Sequence, residues 1–295
     1  MNNKIIVMGS CTIDHTTFTE VMPSPGVTGK AVSFLRNIGG KGANQACAAH
    51  YLGANVFFFG SIGNDEEGTY FSSKIKEIGL RNCLKKSQLQ TGVASITINM
   101  NNGENQILIV QGANLDISKS DVLSLEDEFK GAKIFLTQLE TNYDSIRTAL
   151  ELAKKYNLIT VLNPAPFMEL DDEILRNIDY FIPNEHELDQ FIPGELSYEE
   201  KAKQLISKGI KNVIVTLGDK GSMLVNNDKI YRINSVKVNA VDTTAAGDSY
   251  IGAFVTALSQ NKTVEEAMEF ANKCSAITVT RKGAISSLPK LEEIR

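Results

Sequence analysis

Short apolar runs and segments with helical apolar spacing alternate along most of the chain. The runs predict buried strands, whereas apolar positions that recur every three to four residues predict helices. The predicted strands are 4–8, 56–62, 133–139, 158–162, 180–182 and 213–217. The predicted helices are 43–52, 66–78, 143–156, 198–208, 246–258 and 264–279. This alternation predicts an α/β fold: a doubly wound, mainly parallel sheet with helices on both faces.

The pattern changes between residues 91 and 111, where polar and apolar positions alternate along the chain. The alternation over 93–100 is followed by Asn102-Gly103 and then by a second apolar run at 106–110. A turn dipeptide between two such runs predicts a β-hairpin. The pattern alone is typical either of an ordinary edge hairpin or of a half-exposed flap beside the main core. No Pro/Ser-rich linker and no internal repeat is present, so we expect a single domain over 1–295.

Polar residues stand at or beyond the carboxyl ends of the predicted strands. Ligands of doubly wound sheets bind at that edge, so convergence of several polar side chains there predicts a site. The candidates are Asp14, Glu140, Asn163, Asn184, Glu187, Thr216 and the loop 242–248.

Composition narrows the class of protein. The 295 residues are 42% hydrophobic, which is ample for a buried core, and 30 Lys+Arg against 35 Asp+Glu give a net charge of −5. That balance disfavours a dedicated nucleic-acid-binding protein. The three His and four Cys form neither H-E-x-x-H nor C-x-x-C, so neither predicts a metal site. Scattered thiols, and the lack of a signal peptide or a membrane-length apolar run, predict a soluble, cytoplasmic protein.

The segment Gly39-Gly-Lys-Gly-Ala-Asn44 precedes a predicted helix. Its three glycines allow a backbone to approach a ligand closely, and Lys41 adds positive charge. Asn44 adds an amide that both donates and accepts hydrogen bonds. On local grounds the segment is either a ligand-binding loop or a flexible turn before a helix.

A second loop, Asp242-Thr-Thr-Ala-Ala-Gly-Asp248, leads into another predicted helix. Small residues at a helix N-terminus expose unpaired N–H groups, and the helix dipole favours an anion such as a phosphate there. Asp248 fits a general base that takes a proton from a hydroxyl group. The alternatives are a purely structural carboxylate at Asp248 and a capping or coordinating role for Asp242 and Thr244.

Two further loops follow strands. In Pro183-Asn-Glu-His-Glu187, the side chains of Asn184 and Glu187 share one face if the segment is helical. Such oxygen ligands suit Mg²⁺, usually through water, and a helix cap is an equally good interpretation. The glycines of Thr216-Leu-Gly-Asp-Lys-Gly221 permit a tight turn against a flat ligand, although most such loops simply close hairpins.

Two common nucleotide-binding motifs are absent from the sequence. Both Gly-Lys pairs, in Gly29-Lys30-Ala31 and Gly40-Lys41-Gly42, lack the Ser or Thr of G-x-x-x-x-G-K-[ST]. The first strand is followed by Gly9-Ser-Cys-Thr-Ile-Asp14 rather than by G-x-G-x-x-G. A P-loop NTPase is therefore excluded, and a dinucleotide-binding Rossmann enzyme has little support.

These motifs, in this order, closely resemble the ribokinase family of sugar kinases, which are the pfkB-type carbohydrate kinases. The resemblance runs from residue 9 to residue 289. Its most specific parts are 39–44 with Gly53 and Gly63 at the family's spacing, and 242–248 with Gly252-Ala-Phe254. Other matching stretches, which fit the ribokinases within that family, are 112–114, 138–140, 163–166 and 279–284.

The resemblance implies ATP-dependent phosphorylation of the primary hydroxyl of a furanose sugar, with O5 of D-ribose as the first expectation and ribose 5-phosphate as product. It implies that Asp248 is the catalytic base and that the main-chain N–H groups of Ala245, Ala246 and Gly247 form the anion hole. The implied sugar site is Thr12, Asp14, Gly40, Lys41, Gly42, Asn44, Glu140 and Asp248. The implied nucleotide site is Asn184, Thr216, Gly218, Gly221, Gly247 and Asn272.

The resemblance also implies two cations and a partner subunit. An activating K⁺ beside the anion hole would be bound by Asp242, Thr244, Thr278, Arg281, Gly283 and Ser287, mostly through main-chain carbonyls. Mg²⁺ would be positioned through water by Glu187. The segments 12–35 and 91–114 would form a small β lid that closes over the sugar and pairs two subunits into a homodimer.

One position departs from the family pattern, because Thr12 stands where many ribokinases have Asn near the sugar. A kinase for deoxyribose, or for another furanose or nucleoside, therefore stays an alternative. A non-catalytic sugar- or nucleotide-binding protein on the same fold is the alternative from another class, since a fold alone does not define an activity.

Overall fold

A computed structural model describes residues 3–294 of the chain. Its strands are β1 (Ile5–Met8), β2 (Thr12–Thr19), β3 (Ser33–Gly39), β4 (Val56–Gly63), β5 (Asn82–Ser87), β6 (Gly92–Asn99), β7 (Asn105–Val110), β8 (Ile134–Gln138), β9 (Ile159–Asn163), β10 (Tyr180–Phe181), β11 (Asn212–Thr216), β12 (Ser222–Asn226) and β13 (Ile230–Ile233). Its helices are α1 (Lys41–Tyr51), α2 (Glu66–Ile78), α3 (Lys119–Ser124), α4 (Glu126–Phe129), α5 (Tyr143–Lys155), α6 (Asp172–Arg176), α7 (Glu185–Phe191), α8 (Tyr198–Ser207), α9 (Ala246–Ser259) and α10 (Val264–Thr278). Short 3₁₀ turns lie at Gly112–Asp116, Gly218–Lys220, Ile285–Ser287 and Leu291–Glu293.

The larger sheet has nine strands in the order β13-β12-β11-β10-β9-β8-β1-β4-β5. Neighbouring strands from β11 to β5 run parallel, and β12 and β13 add an antiparallel edge. The predicted doubly wound, mainly parallel α/β fold is thereby confirmed. The carboxyl ends of the parallel strands share one edge, which collects the side chains of the candidate site.

Helices cover both faces of this sheet, as the alternation along β1 requires. Ile5 and Val7 point into the apolar layer beneath α1, α2, α9 and α10, whereas Ile6 and Met8 point into the layer beneath α5, α7 and α8. Because all four side chains are buried, β1 is an apolar run without polar alternation. No helix within residues 3–294 is long and apolar enough to cross a membrane.

The smaller sheet has four strands in the order β3-β2-β6-β7. β6 and β7 form the hairpin predicted at 91–111, and β6 also pairs in parallel with β2. Of the two interpretations of the hairpin, the flap fits, because the hairpin belongs to a sheet separate from the main one. All six residues of β7 are exposed, apolar ones included. β3 continues to Gly39, four residues beyond the predicted end of the first lid segment at residue 35.

The small sheet returns to the main body beside the end of β1. The Cys11 N–H donates to Asn114 Oδ1 at 2.8 Å, and Asn114 Nδ2 donates to the Cys11 carbonyl at 3.0 Å. Thr12, the next residue, is paired with Gly39 on one side and with Gly92 on the other. One buried amide therefore joins the start of the small sheet to the turn at which the chain leaves it.

Candidate active site

The α9 N-terminus carries a buried carboxylate. The chain enters α9 through Ala245, whose φ of 59° is left-handed, and Asp248 follows in the first turn with 8% of its surface exposed. Asn44 Nδ2 donates to Asp248 Oδ2 at 2.9 Å, and Gln45 Nε2 donates to Oδ1 at 2.9 Å. Both carboxylate oxygens are thus oriented by amides of α1, while further lone pairs stay available to accept a proton.

Backbone donors surround this carboxylate. Within the described residues, the N–H groups of Gly247 and Asp248 have no backbone acceptor, whereas the Ala246 N–H donates to the Thr243 carbonyl at 3.2 Å. A Cβ placed on Gly247 would meet no heavy atom within 4 Å. Open space therefore lies over unpaired N–H groups at a positive helix end, which suits a phosphoryl group. Of the three predicted donors, Ala246 already has a partner, whereas Ala245 and Gly247 have no backbone acceptor within the described residues.

The segment 39–44 is tightly packed rather than flexible. A Cβ on Gly42 would lie 2.4 Å from the backbone nitrogen of Ser10, and one on Gly39 would lie 2.2 Å from Asp14 Oδ2. Gly40 has a φ of 92°, which L side chains rarely adopt. These glycines are required by close approach, so the flexible-turn interpretation of this segment does not hold.

Glu140 lies against the same segment. The Ser10 hydroxyl donates to Glu140 Oε2, and the Lys41 backbone N–H donates to the same oxygen at 3.1 Å. Burial raises the pKa of Glu140, although the Lys41 charge and these donors oppose the rise. Burial would lower the pKa of Lys41, but the carboxylates of Asp248, Glu140 and Glu187 outweigh it and raise that pKa. The ammonium group of Lys41 therefore interacts electrostatically with three carboxylates.

Asp14, on β2 of the small sheet, faces this cluster. Burial, together with the negative charges of Glu140 and Asp248, raises the pKa of its carboxyl group to about 7. Across from it, the Oδ1 atom of Asn44 is buried without a hydrogen-bond partner in the part of the chain that the structure describes. Buried acceptors without donors are costly, so this group of acceptors suits a ligand that brings several hydroxyls.

The predicted nucleotide residues lie at the ends of β10 and β11. Asn184 caps α7: its Oδ1 accepts the Glu187 N–H at 2.8 Å, and Glu187 Oε2 accepts the Asn184 N–H at 2.9 Å. A β-bridge joins Asn184 to Thr216. The side chains of Asn184 and Glu187 therefore form the helix cap that the local sequence allowed. Any role of these two residues in binding a nucleotide or Mg²⁺ is additional to that cap.

Beyond Thr216, the loop forms a tight turn between β11 and β12. Gly218 and Gly221 have φ values of 55° and 95°, and a Cβ on Gly221 would lie 2.0 Å from the Ile233 carbonyl oxygen. Asn272 is buried near this turn, where its Nδ2 lies 3.4 Å from Ser222 Oγ. The loop therefore closes a hairpin, so that interpretation of it is correct. The backbone of this loop and the backbone of the Asn184 cap both lie at the ends of β10 and β11.

Only one of the two carboxylate oxygens of Glu187, Oε2, accepts a hydrogen bond within residues 3–294. Burial raises its pKa, whereas the Asn184 N–H and the positive charge of Lys41 lower it. Its Oε1 accepts no hydrogen bond from residues 3–294, so it is available to a water of a hydrated Mg²⁺. Residues 3–294 contain no group of three or more His, Cys, Asp or Glu side chains that could hold a metal ion.

The predicted K⁺ residues lie in two adjacent loops. Asp242 Oδ1 accepts the Thr244 N–H at 2.9 Å, and Oδ2 accepts the Gly283 N–H at 2.9 Å, which ties the loop before α9 to the loop after α10. These hydrogen bonds lower the pKa of Asp242 against the effect of its burial. The Asp242 carboxylate and the main-chain carbonyls of these two loops would together offer an all-oxygen donor set, which fits a hard monovalent cation.

The other side chains of this predicted set have protein partners. The Thr278 hydroxyl donates to Ser249 Oγ at 2.7 Å, and the Ser287 hydroxyl donates to the Ala284 carbonyl at 2.7 Å. Arg281 pairs with Glu293 at 2.5 Å. Arg281 can therefore act as a ligand only through its carbonyl, as the sequence analysis expected, because its side chain has no acceptor.

Three polar residues of the site were missed as candidates from the sequence. Gln45 and Gln138 belong to the hydrogen-bonded group around Asp248, and Ser10 bridges Glu140 to α1. Gln45 directly follows the glycine motif, and Gln138 lies one residue before the end of the predicted strand 133–139, so position offered a signal. Neither residue type suggested chemistry, because an amide is neither an acid nor a base at neutral pH.

Comparisons with known proteins agree with this geometry. The family model for pfkB family carbohydrate kinase matches residues 2–291. A ribokinase of Staphylococcus aureus (strain COL) is 37% identical over 100% of this chain and 99% of its own length. A deoxyribokinase of Salmonella typhi is 36% identical over 98% of this chain and 96% of its own. Arabidopsis thaliana ribokinase, solved with ribose and ATP, has a TM-score of 0.90 at 29% identity and covers 100% of this chain and 98% of that one. The chain belongs to the pfkB family of carbohydrate kinases.

Proposed function

We propose that this protein is a ribokinase, which transfers the γ-phosphoryl group of ATP to O5 of D-ribose. The observation that carries the proposal is the buried Asp248 carboxylate, oriented by two amides of α1 beside unpaired N–H groups at the α9 N-terminus. A base next to an anion site is the minimum apparatus for phosphorylating an alcohol. The names of the curated relatives and the ribose and ATP in the Arabidopsis structure support the same substrates.

The reaction needs positioning and charge stabilisation more than covalent catalysis. Asp248 accepts the proton of the O5 hydroxyl as the new O5–P bond forms and the bond from the γ-phosphorus to the β,γ-bridging oxygen breaks, so that ADP leaves. The N–H groups of Ala245 to Gly247 stabilise the charge on the transferred group, and those of Ala245 and Gly247 have no backbone acceptor within residues 3–294. Lys41 lies close enough to Asp248 and Glu140 to contribute positive charge to the same region.

The sugar site is proposed to be the acceptor-rich region around α1. Asp14 accepts a pair of ring hydroxyls, and Asn44 Oδ1 accepts another that would fill its missing hydrogen bond. Glu140 holds the backbone of Lys41 in place and presents its other oxygen to the ligand. Gly40, Gly42 and Thr12 contribute close backbone surface rather than charge.

The nucleotide is proposed to lie along the ends of β10 and β11, against Asn184, the 216–221 turn and Asn272. Glu187 would hold Mg²⁺ through water, and the ion when bound would neutralise phosphate charge. The loops joined by the Asp242–Gly283 hydrogen bond would hold K⁺. Because the same loop runs directly into the anion hole, an ordered Asp242 keeps Ala245 and Gly247 in place.

The lid and the dimer are proposed from the small sheet. Exposed apolar side chains on it, which a monomer would leave in water, are Phe34, Leu35, Ile107, Leu108 and Ile109. We propose one domain whose segments 12–35 and 91–114 form a lid, with two subunits pairing through this sheet to make a homodimer.

A second candidate substrate is deoxyribose. Thr12 is buried at the start of the small sheet, and a deoxyribokinase is among the close relatives. Coupled ADP-release assays across pentoses, hexoses and nucleosides decide between the two. A kcat/KM for ribose well below that for deoxyribose would replace the first proposal with the second.

The Asp248→Asn variant tests the enzymatic mechanism. We expect kcat to fall by about 10³-fold or more while ribose binding is largely kept, because the amide preserves size but accepts no proton. Steady-state kinetics give kcat, and calorimetric titration gives the ribose Kd. Turnover that survives the substitution would show that Asp248 is not the base.

A further inference from the structure

We propose that Gln45 is a positioning residue, which holds the Asp248 carboxylate in its reactive orientation through a relay of buried amides. The inference rests on the proposed function, because it concerns the base of that reaction. Gln45 is wholly buried on α1, and its Nε2 donates to Asp248 Oδ1 at 2.9 Å and to Asn163 Oδ1 at 3.1 Å. Both protons of this amide are therefore committed, one of them to the base.

The orientation of the Gln45 amide is set by its neighbours. Gln138 Nε2 donates to Gln45 Oε1 at 2.7 Å, so the oxygen of Gln45 faces Gln138 and its nitrogen faces Asp248. Asn163 is itself oriented, because its Nδ2 donates to the Ile182 carbonyl at 3.0 Å. A flipped Gln45 would present oxygen to two oxygens and nitrogen to a nitrogen. The relay therefore permits a single arrangement, in which Gln45 is a donor to the base.

The relay is anchored on rigid elements. Gln138 ends β8, Asn163 ends β9 and Gln45 lies on α1, all of which belong to the main sheet and its covering layer. A reactive group held from strand ends is kept in place more precisely than one held from a loop. The α9 N-terminus, by contrast, follows a loop that is partly exposed. Gln45 thus connects the carboxylate at the α9 N-terminus to residues at the ends of two strands of the main sheet.

The two amides that contact Asp248 have different roles. Asn44 has a buried oxygen without a partner and belongs to the proposed sugar site. The polar atoms of Gln45 are all hydrogen-bonded to protein side chains, and Gln45 is more deeply buried than Asn44. Gln45 can therefore affect the reaction only through Asp248. Removing Gln45 should therefore lower kcat rather than weaken sugar binding, whereas an Asn44 substitution should affect both.

Gly9 packs closely against the Gln138 amide and also against α1, where an added Cβ would lie 2.7 Å from the Gly42 Cα. A Cβ on Gly9 would lie 2.0 Å from Gln138 Oε1, so any larger residue would displace the amide that orients Gln45. Gln138 Oε1 has no hydrogen-bond partner within residues 3–294. A buried oxygen without a hydrogen bond is destabilising. Gln138 nevertheless keeps the orientation in which its nitrogen donates to Gln45.

The test compares Gln45→Met with the wild-type protein and with Thr256→Val. Methionine keeps the length and removes both donated hydrogen bonds. Thr256→Val is the matched control, because it removes a buried hydroxyl of α9 whose one partner among residues 3–294 is the Gly252 carbonyl. We expect Gln45→Met to lower kcat about 10- to 100-fold, with KM and Kd for the sugar nearly unchanged, because a misplaced reacting group mainly slows the chemical step. The control should keep the wild-type kcat.

The Gln138→Leu variant checks the relay itself. Alone, Gln138→Leu should lower kcat by a smaller factor than Gln45→Met does, because the Gln45 amide can then rotate. In the Gln45→Met background, Gln138→Leu should cause no further loss of kcat. If Gln45→Met shows no cooperative thermal melting, Gln138→Leu alone decides the question in the same assay.

The outcomes separate the inference from the proposed function. A wild-type kcat for Gln45→Met, or a change confined to KM, overturns the role of Gln45 and leaves the kinase proposal standing. Equal losses for Gln138→Leu with and without Gln45 overturn the relay. No sugar-dependent turnover by the wild-type protein with any sugar overturns the kinase proposal and the inference together.

Discussion

Sugar binding should depend on pH near neutrality, because Asp14 must be ionised to accept hydrogen bonds from ring hydroxyls. Burial and the charges of Glu140 and Asp248 raise its pKa to about 7. Below that pH the free protein carries a protonated Asp14, which is a poorer acceptor. The perturbation to apply is therefore a pH change from 8 to 6, with the sugar as the only ligand.

The size of the effect follows from the ionised fraction. With a pKa of about 7, about nine-tenths of the Asp14 carboxyl groups are ionised at pH 8 and about one-tenth at pH 6. The apparent Kd equals the intrinsic Kd divided by the competent fraction, so ribose should bind about tenfold more weakly at pH 6. At pH 7, where about half the sites start protonated, binding should release about half a proton.

Isothermal titration calorimetry measures both quantities, and buffers of different ionisation enthalpy report the proton release. Asp14→Asn is the control: it should bind more weakly and lose most of the pH dependence, leaving only what the raised pKa of Glu140 contributes. An identical ribose Kd at pH 6 and pH 8 for the wild-type protein would refute the reasoning.

The same carboxyl group affects the stability of the free protein. Its folded pKa lies above the ordinary value of 3.8, so its contribution to stability is complete below about pH 4 and is lost as the pH rises through about 7. A rise of that size corresponds to about 4 kcal/mol at most. Asp14→Asn should therefore increase the free energy of unfolding at pH 8 but not at pH 4, as measured by urea denaturation.

Two further predictions concern the proposed cation and dimer. Activity should be higher in K⁺ than in Na⁺ at equal ionic strength, because the carbonyl-rich loops tied by Asp242 suit the larger, less tightly hydrated ion; equal rates in coupled assays would count against that site. Leu108→Lys, on the exposed face of β7, should shift the protein from twice the chain mass to the chain mass in light scattering, and a monomeric wild-type protein would contradict the proposed interface.

The sequence predicted the main sheet well because its strands are buried on both faces. Such strands are uninterrupted apolar runs, as in β1 and β8, and they need no knowledge of the partner strand to be recognised. The hydrophobic pattern missed β5 and β2 for the opposite reason, although β2 lies within the lid segment 12–35 that the family resemblance implied. β5 carries two lysines and is half-exposed, and β2 contains Asp14 and His15, so neither has an apolar run or a regular alternation.

The parts of the site that lie in one continuous stretch of sequence were predictable. The N-terminal turn of α9, with Asp248 in it, and the glycine segment before α1 are continuous stretches with a recognisable physical purpose. The amide relay was not predictable, because Gln45 meets its partners across 93, 118 and 203 positions of sequence. The capping of α7 by Asn184 was an open alternative, and local sequence alone does not exclude a second role for the same side chain.

The amide of Asn114 has a mechanical consequence for the small sheet. It bonds both backbone groups of Cys11, so the place where the chain enters the sheet and the place where it finally leaves are held together. Glycines stand at the other crossings: Gly39 and Gly92 are paired with Thr12, and Gly40 and Gly112 have positive φ values. If the proposed lid closes, this line across the base of the sheet is where the backbone would bend, once the contacts of His15 and Arg36 with Glu67 on α2 are released. The four strands would then turn together, and the turn would carry Asp14 toward or away from Asp248 without changing the pairing of any strand.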